Sequence, residues 1–373
     1  MVDGEPPLKQ PRIGHSSSLI EMEPAEQASA KALPSTTKVA VIGGGSFGLA
    51  MASIVGRKGI PTCILVRKEE VAAHINAHHS HPQYLKDFRL ADTITSSADP
   101  KTAFEGVNFI LHCIPVQYSR QYLLQIAPFV PPDVPIISTS KEEGWMDEEE
   151  GGGREGGEGR KGRGGGGGPM DGTEIMQELV TCVVVASDSE VLANEAHDLM
   201  SSHYFRVFTS GDVVGVEVGG AVKNVIAIAA GMCEGLGLGM NAAAALVTRG
   251  LNEVQRLALF LGARSTTLTG LSGVGDTFGT CFGPLSRNRT LGVRLGKGEA
   301  LKDILESMVE VAEGYATTFS LVQLIEKLPR AHKRERTFPI IYAVKSILDG
   351  THTPQEGVRR LMNSKGRVEL WNL

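Results

Sequence analysis

A β-branched run at residues 38–42 (KVAVI) leads straight into GGGSFG, and the chain continues as LAMASIVGRKG before a second apolar run at 62–66 (TCILV). Strand, glycine turn, helix and second strand within about 30 residues leave a chain few folds to choose from. Gly43, Gly45 and Gly48 match G-x-G-x-x-G. The first permits the tight turn, the second lets a pyrophosphate approach the backbone, and the third lets helix and strand pack closely. The helix start behind them offers N–H groups and a positive dipole end to an anion. Alone the pattern is weak, a merely glycine-rich turn being the alternative; the flanking strands and helix make it a dinucleotide-binding fingerprint.

Further apolar runs at 107–114 (VNFILHCI), 134–138 (VPIIS) and 181–186 (TCVVVA) alternate with helical-looking stretches, and 204–208 (YFRVF) closes the series. Such alternation predicts an α/β architecture, a doubly wound Rossmann-type sheet over 38–210. From about residue 213 the texture changes. The segment 215–239 is rich in small residues and interrupted by Glu217, Lys223 and Glu234. Those charges mark a buried helix rather than a membrane span. Helical periodicity continues at 241–261, 301–311, 318–328 and 340–348 with no strand signal. Residues 211–373 therefore read as an all-helical substrate and catalytic domain, with the active site in the cleft between the two domains.

Composition narrows the class. Of 373 residues 42% are hydrophobic, enough for a sizeable core, and the net charge of −5 argues against nucleic acid or an anionic membrane as partner. No apolar run reaches the roughly 18 residues of a membrane span. Five scattered cysteines (Cys63, Cys113, Cys182, Cys233, Cys281), without a Cys-x-x-Cys pair, speak for a reducing compartment and against a structural zinc. Residues 1–37, dotted with prolines and lacking an apolar period, read as a disordered leader. Ser16, Ser17 and Ser18 suit a plastid or mitochondrial transit peptide, while Asp3, Glu5, Glu21, Glu23 and Glu26 count against one. The cytoplasm is the expected location, the plastid stroma the alternative. Between 144 and 168, thirteen of 25 residues are glycine, which predicts a flexible loop.

Several side chains stand out as chemistry. At the end of the second predicted strand, where an acid accepts a ribose hydroxyl in NAD-binding folds, this chain offers Arg67 and Lys68, then Glu69 and Glu70. Arg67 would attract a 2′-phosphate, so NADP is admitted beside NAD; a solvated strand end is the plainer alternative. His74, His78, His79 and His81 resemble a metal cluster, but no carboxylate or Cys completes the set, and a polar helix end is the preferred reading with no metal expected. Lys223 lies in an otherwise apolar helix, where an ammonium is costly. It either reaches solvent along its stem or lines a cleft, where a desolvated lysine can act as a general acid or base. Asp276, in GLSGVGDTFG, could hold it. Ser286-Arg287-Asn288-Arg289 puts two guanidinium groups in a polar turn, a geometry suited to phosphate, with a plain solvated surface turn as the alternative.

Together these strings resemble the NAD(P)-dependent glycerol-3-phosphate dehydrogenases of the bacterial and plastid type. The matching segments are VIGGGSFGLAMA (41–52), CIPVQ (113–117), STSKEEG (138–144), GVEVGGAVKNVIAIAAG (215–231), GLSGVGDTFGTCFGPLSRNRTLGVRLGKG (270–298) and VAEG (311–314). The resemblance implies hydride transfer between C2 of sn-glycerol 3-phosphate and a nicotinamide, giving dihydroxyacetone phosphate. By the same resemblance Lys223 is the proton acceptor, Lys141 a second active-site lysine near substrate and cofactor, and Asp276 the partner that positions the catalytic lysine. Ser286, Arg287 and Asn288 match the substrate-phosphate turn, with Arg287 also near the cofactor. Ser46, Phe47, Arg67, Val311 and Glu313 match cofactor contacts, and a homodimer is implied.

One stretch departs from the pattern. Where the family has a helix, a sheet strand and a Gly-Pro-Ser-Phe-Ala turn, this chain has the glycine run and then Gly168-Pro169-Met170-Asp171-Gly172. Met170 and Asp171 stand in place of the Ser and Phe. A central strand and part of the active-site wall are thus expected to be missing, through a local error such as a mis-spliced exon or as a hole the sheet tolerates; a genuine hole implies impaired folding and weak turnover. A 3-hydroxyacid-type dehydrogenase and a cofactor-binding pseudoenzyme are the rival readings.

Overall fold

Val39, Ala40, Val41 and Ile42 are all fully buried, as a central strand covered on both faces must be. They form β1 (Val39–Ile42) of the computed structural model, which describes residues 33–139, 163–167, 172–308, 312–328 and 334–363. The other strands are β2 (Thr62–Leu65), β3 (Ile94–Ser97), β4 (Phe109–His112), β5 (Ile136–Ser138), β6 (Arg163–Gly167), β7 (Thr181–Ser187) and β8 (Phe205–Ser210). They make one sheet in the order β3-β2-β1-β4-β5-β6-β7-β8. Every neighbouring pair is parallel except β6 and β7. Ile42 is in register with both Leu65 and His112, so β1, β2 and β4 finish level at their carboxyl ends.

Helices α1 (Ser46–Gly56), α2 (Glu69–His78), α3 (Pro100–Ala103), α4 (Val116–Ile126), α5 (Gly172–Met176) and α6 (Glu190–Met200) connect the strands. Alternate residues of β1 face opposite sides. Val39 and Val41 pack with Leu49, Ile54 and Ile75 from α1 and α2. Ala40 and Ile42 pack with Ala103, Phe104 and Ile126 from the α3 and α4 side. This is the doubly wound arrangement, with a crossover between β1 and β4 as its switch point.

The remainder is helical: α7 (Val213–Gly235), α8 (Met240–Phe260), α9 (Ser265–Leu268), a π-helical turn at Leu271–Gly275, α10 (Asp276–Phe282), α11 (Arg287–Gly296), α12 (Leu301–Ser307), α13 (Gly314–Lys327), α14 (Arg334–Thr337), α15 (Pro339–Leu348) and α16 (Pro354–Asn363). Val225, Ile226, Val247, Leu257, Leu291, Leu321 and Ile341 lie at the centre of its core. α8 buries Val247, Val254, Leu257 and Ala258, an apolar stripe at helical spacing. Its Glu253 staples α8 to the start of α15: Oε1 accepts the Ile340 N–H (2.9 Å) and Oε2 the Ile341 N–H (3.1 Å). Burial pushes this carboxyl up to about 8, against the pull of those two N–H groups and of Arg256 and Arg249.

Three expectations are corrected. The expected gap in the sheet is filled: Arg163–Gly167, inside the glycine run, pairs parallel with β5 and antiparallel with β7. Ladder hydrogen bonds come from the backbone, so a strand between two partners needs no side chains. The rest of the run, 144–162 and 168, and the altered turn residues Met170 and Asp171, lie outside the described residues. Residues 33–37, read as the end of the leader, belong to the fold. Leu33 packs on the sheet core and the Thr37 hydroxyl donates to the Pro34 carbonyl (2.7 Å); residues 1–32 lie outside the described residues. Finally, Val213–Gly235 is long and apolar enough to cross a membrane by length and composition, the one such helix among the described residues, yet 83% of its most apolar window is buried in protein. The expectation that no apolar run is long enough for a span is thereby corrected, and the expectation of a buried helix holds.

Candidate active site

At the end of β1 the chain turns through Gly43, whose φ of +112° suits glycine. The Gly43 N–H donates to the Leu65 carbonyl (3.1 Å), tying the turn to β2, and a Cβ here would press on the Cys113 carbonyl oxygen beyond β4 (3.0 Å). A Cβ at Gly48 would overlap the Gly43 carbonyl oxygen, so helix α1 can sit this close only with glycine there. Gly45 behaves differently: a Cβ would meet nothing within 4 Å, and no side chain caps the α1 N-terminus that follows. Two glycines are therefore demanded by packing, and the third opens a space before an uncapped helix start, with Ser46 and Phe47 as its first residues. That cradle, at the switch point of the sheet, fits the pyrophosphate of a dinucleotide. Arg67, exposed beyond β2, is close enough to act electrostatically on Tyr122 of α4, whose phenol burial pushes up and Arg67 pulls back.

The second half of the site is built on α7. Asp212 caps it: Oδ1 accepts the Gly215 N–H (2.9 Å), and Oδ2 accepts from Arg264 N (2.8 Å) and the Thr267 hydroxyl (2.6 Å). Burial raises this carboxyl, but the Thr267 hydroxyl and the two backbone N–H groups outweigh it and hold it below the usual range. Every residue from Val218 to Cys233 is buried. Within that stretch a Cβ on Gly219 would lie 2.6 Å from the Ser272 carbonyl oxygen, so the π-helical turn presses directly on α7. One helical turn further along both segments, Lys223 and Asp276 meet as an ion pair, Nζ to Oδ1, with residue exposures of 4% and 2%. A buried pair of this kind requires close geometry to offset desolvation. The Thr280 hydroxyl lies 3.5 Å from Asp276 Oδ1. Cys281 is buried close enough to feel both charges: burial pushes its thiol up to about 12, with Lys223 pulling it down and Asp276 pushing it up.

Glycines also set α11 against α7. A Cβ at Gly231 would overlap the Arg289 carbonyl oxygen, one at Gly235 that of Val293, and one at Gly292 that of Ile228. The helices meet backbone to backbone. α11 begins at the SRNR turn, where Ser286 Oγ accepts the Arg289 N–H (3.2 Å) and Arg287 is exposed at the first helical position. The Arg289 guanidinium is committed to Glu234 (2.6 Å). Asn288 is 7% exposed, and its Oδ1 accepts the Gly314 N–H (2.9 Å), next to Glu313 at the start of α13.

The structure thus brings Lys223 together with Asp276, and Asn288 together with the start of α13, while Gly43, Gly45, Ser46, Phe47, Gly48 and Arg67 gather at the carboxyl ends of β1 and β2. Lys141 and Val311 lie outside the described residues. Sequence reasoning named Cys281 only as one of the scattered cysteines and did not single out Thr280, Asn224 or Gly314. Thr280 stands one turn beyond Asp276 in DTFGTC, a helical spacing that could have flagged it. The histidines have local tasks: His74 and His78 rings lie 4.6 Å apart, and His81 Nδ1 accepts the Gln83 and Tyr84 N–H groups (3.0 and 2.9 Å).

A glycine cradle at a Rossmann switch point, joined to a helical unit holding a buried lysine–aspartate pair, defines a nicotinamide-dependent dehydrogenase. Residues 38–151 match the NAD-dependent glycerol-3-phosphate dehydrogenase N-terminus, and residues 212–359 match the C-terminus of the same enzymes. The chain belongs to the NAD-dependent glycerol-3-phosphate dehydrogenase family. It is 43% identical to the chloroplastic glycerol-3-phosphate dehydrogenase [NAD(+)] 2 of Arabidopsis thaliana, over 90% of this chain and 80% of the relative. It is 41% identical to the glycerol-3-phosphate dehydrogenase [NAD(P)+] of Leptospira biflexa, over 87% and 97%. Among solved structures, the glycerol-3-phosphate dehydrogenase of Coxiella burnetii superposes with a TM-score of 0.77 at 30% identity, covering 88% of this chain and 99% of that one. The Saccharomyces cerevisiae enzyme does so at 0.72 and 26%, covering 87% and 98%.

Proposed function

We propose that the chain interconverts sn-glycerol 3-phosphate and dihydroxyacetone phosphate with NAD, and with NADP as an admitted alternative. The observation that carries this reading is the buried Lys223–Asp276 pair in a family of enzymes with that activity. Residues 38–210 serve the cofactor and 211–373 the substrate. The glycine cradle of Gly43, Gly45 and Gly48, with Ser46 and Phe47, fits the pyrophosphate; Arg67 attends the adenosine end, and Val311 and Glu313 the remaining cofactor contacts.

A nicotinamide held in this cradle would supply the hydride chemistry for substrate C2. Lys223 handles the accompanying proton. In ketone reduction its ammonium passes a proton from Nζ to the oxygen on C2, and in alcohol oxidation neutral Nζ takes the hydroxyl proton. Asp276 holds Nζ in place and keeps charge beside it in a dry interior, where electrostatic stabilisation is strongest. By the family resemblance Lys141 serves as the second active-site lysine. At the far end, Arg287 and the α11 start with Ser286 and Asn288 take the phosphate, which fixes C2 for reaction.

Purified protein given dihydroxyacetone phosphate with NADH, then NADPH, tests the reading through loss of reduced-nicotinamide absorbance. Oxidation with this ketone is expected. Oxidation only with a keto acid, or nucleotide binding without turnover of any ketone, contradicts it. A homodimer is the proposed assembly, checked by sedimentation. The acids among residues 1–32 count against a transit peptide and so support the cytoplasm, while the chloroplastic relatives support the plastid stroma, and fractionation of cells decides between them.

A further inference from the structure

Three segments with proposed roles at the site meet at one backbone junction. Asn288 Oδ1 accepts the Gly314 N–H (2.9 Å). A Cβ at Gly314 would lie 2.8 Å from that Oδ1 and 2.9 Å from the Asn224 carbonyl oxygen. On the other side, the Thr318 hydroxyl donates to the Gly314 carbonyl (2.6 Å). Asn224, Asn288, Gly314 and Thr318 are all buried. Each of the first three directly follows a residue with a proposed role: Lys223 on α7, Arg287 on α11 and Glu313 before α13.

A buried amide oxygen already used by a backbone N–H is a structural commitment, since withdrawing it leaves that donor unsatisfied. We propose that Asn288 is a positioning residue for the cofactor: through its bond to Gly314 it sets the Glu313 segment, in addition to its place at the phosphate end. The absence of a side chain at 314 is what lets α7, α11 and α13 close to this spacing. The inference rests on the reading that Glu313 contacts the cofactor.

The test is NADH binding to the full chain without substrate, followed by nucleotide fluorescence, in Asn288→Ala, Asn288→Asp and Glu313→Ala. A residue that touches only substrate phosphate leaves this binary affinity unchanged. Asn288→Ala is expected to weaken NADH about five-fold, the scale of one lost hydrogen bond. Asn288→Asp keeps an acceptor for the Gly314 N–H and is expected to restore NADH affinity to within about two-fold of wild type, while binding of dihydroxyacetone phosphate worsens through charge repulsion. Wild-type NADH affinity in Asn288→Ala, or no recovery in Asn288→Asp, overturns the proposal. Unchanged NADH affinity in Glu313→Ala removes the underlying contact and the proposal with it. Should Asn288→Ala fail to fold, Asn288→Leu keeps the bulk of the side chain while removing the acceptor for the Gly314 N–H, and unaltered NADH affinity there counts against the proposal equally.

Discussion

Lys223 on α7 and Asp276 at the start of α10 form an ion pair between side chains only 5% and 3% exposed, one turn beyond the point where Gly219 touches the Ser272 carbonyl. The contact between backbones sets the contact between charges. Asp276→Asn leaves the lysine ammonium without its carboxylate, and breaking a buried pair in this way costs about 3–5 kcal/mol of stability. Urea unfolding should read that loss, and kcat should fall on the order of 100-fold through misplacement of Nζ. Unchanged stability would mean the pair is not buried as described.

The cradle glycines separate cleanly by experiment. A Cβ at Gly45 meets nothing within 4 Å. Gly45→Ala should therefore unfold like wild type yet bind NADH on the order of ten-fold more weakly, because the methyl group occupies the pyrophosphate approach. Gly48→Ala should instead lose about 1–3 kcal/mol of stability, since its Cβ overlaps the Gly43 carbonyl oxygen. Calorimetry with NADH titration distinguishes the two.

Glu253 predicts a pH dependence of stability. Its folded value of about 8 lies above the ordinary 4.5. Between those values the folded chain holds a proton that the unfolded chain has lost, so this contribution is complete below about 4.5 and fades as pH rises through about 8. Wild type should thus lose roughly 1–3 kcal/mol more than Glu253→Gln between pH 6 and pH 9 in urea unfolding. The variant, missing one acceptor for the α15 N–H groups, should be the weaker protein at pH 6. Parallel profiles would show that Glu253 stays ionised across the range.

Much of this was legible from the chain, for definite reasons. β1, the glycine turn, α1 and β2 could be read because β-branched runs, small helix formers and glycine each leave a local mark. Lys223 could be read because a charge amid apolar residues is conspicuous. β3 escaped: ITSS alternates buried and exposed residues at a sheet edge, with little apolar signal. β6 escaped because five residues of which four are glycine carry no strand propensity; only neighbours on both sides make them a strand. The bond from Asn288 to Gly314 spans 26 residues and obeys no periodicity, so it exists only once α7, α11 and α13 are packed.

The most direct measurement is the turnover of dihydroxyacetone phosphate by Lys223→Ala set beside its affinity for NADH. The expected kcat is lower on the order of a thousand-fold, the range of a lost general acid, with NADH bound within about two-fold of wild type. A variant that still reduces the ketone within about ten-fold of the wild-type rate would remove the lysine from the proton step.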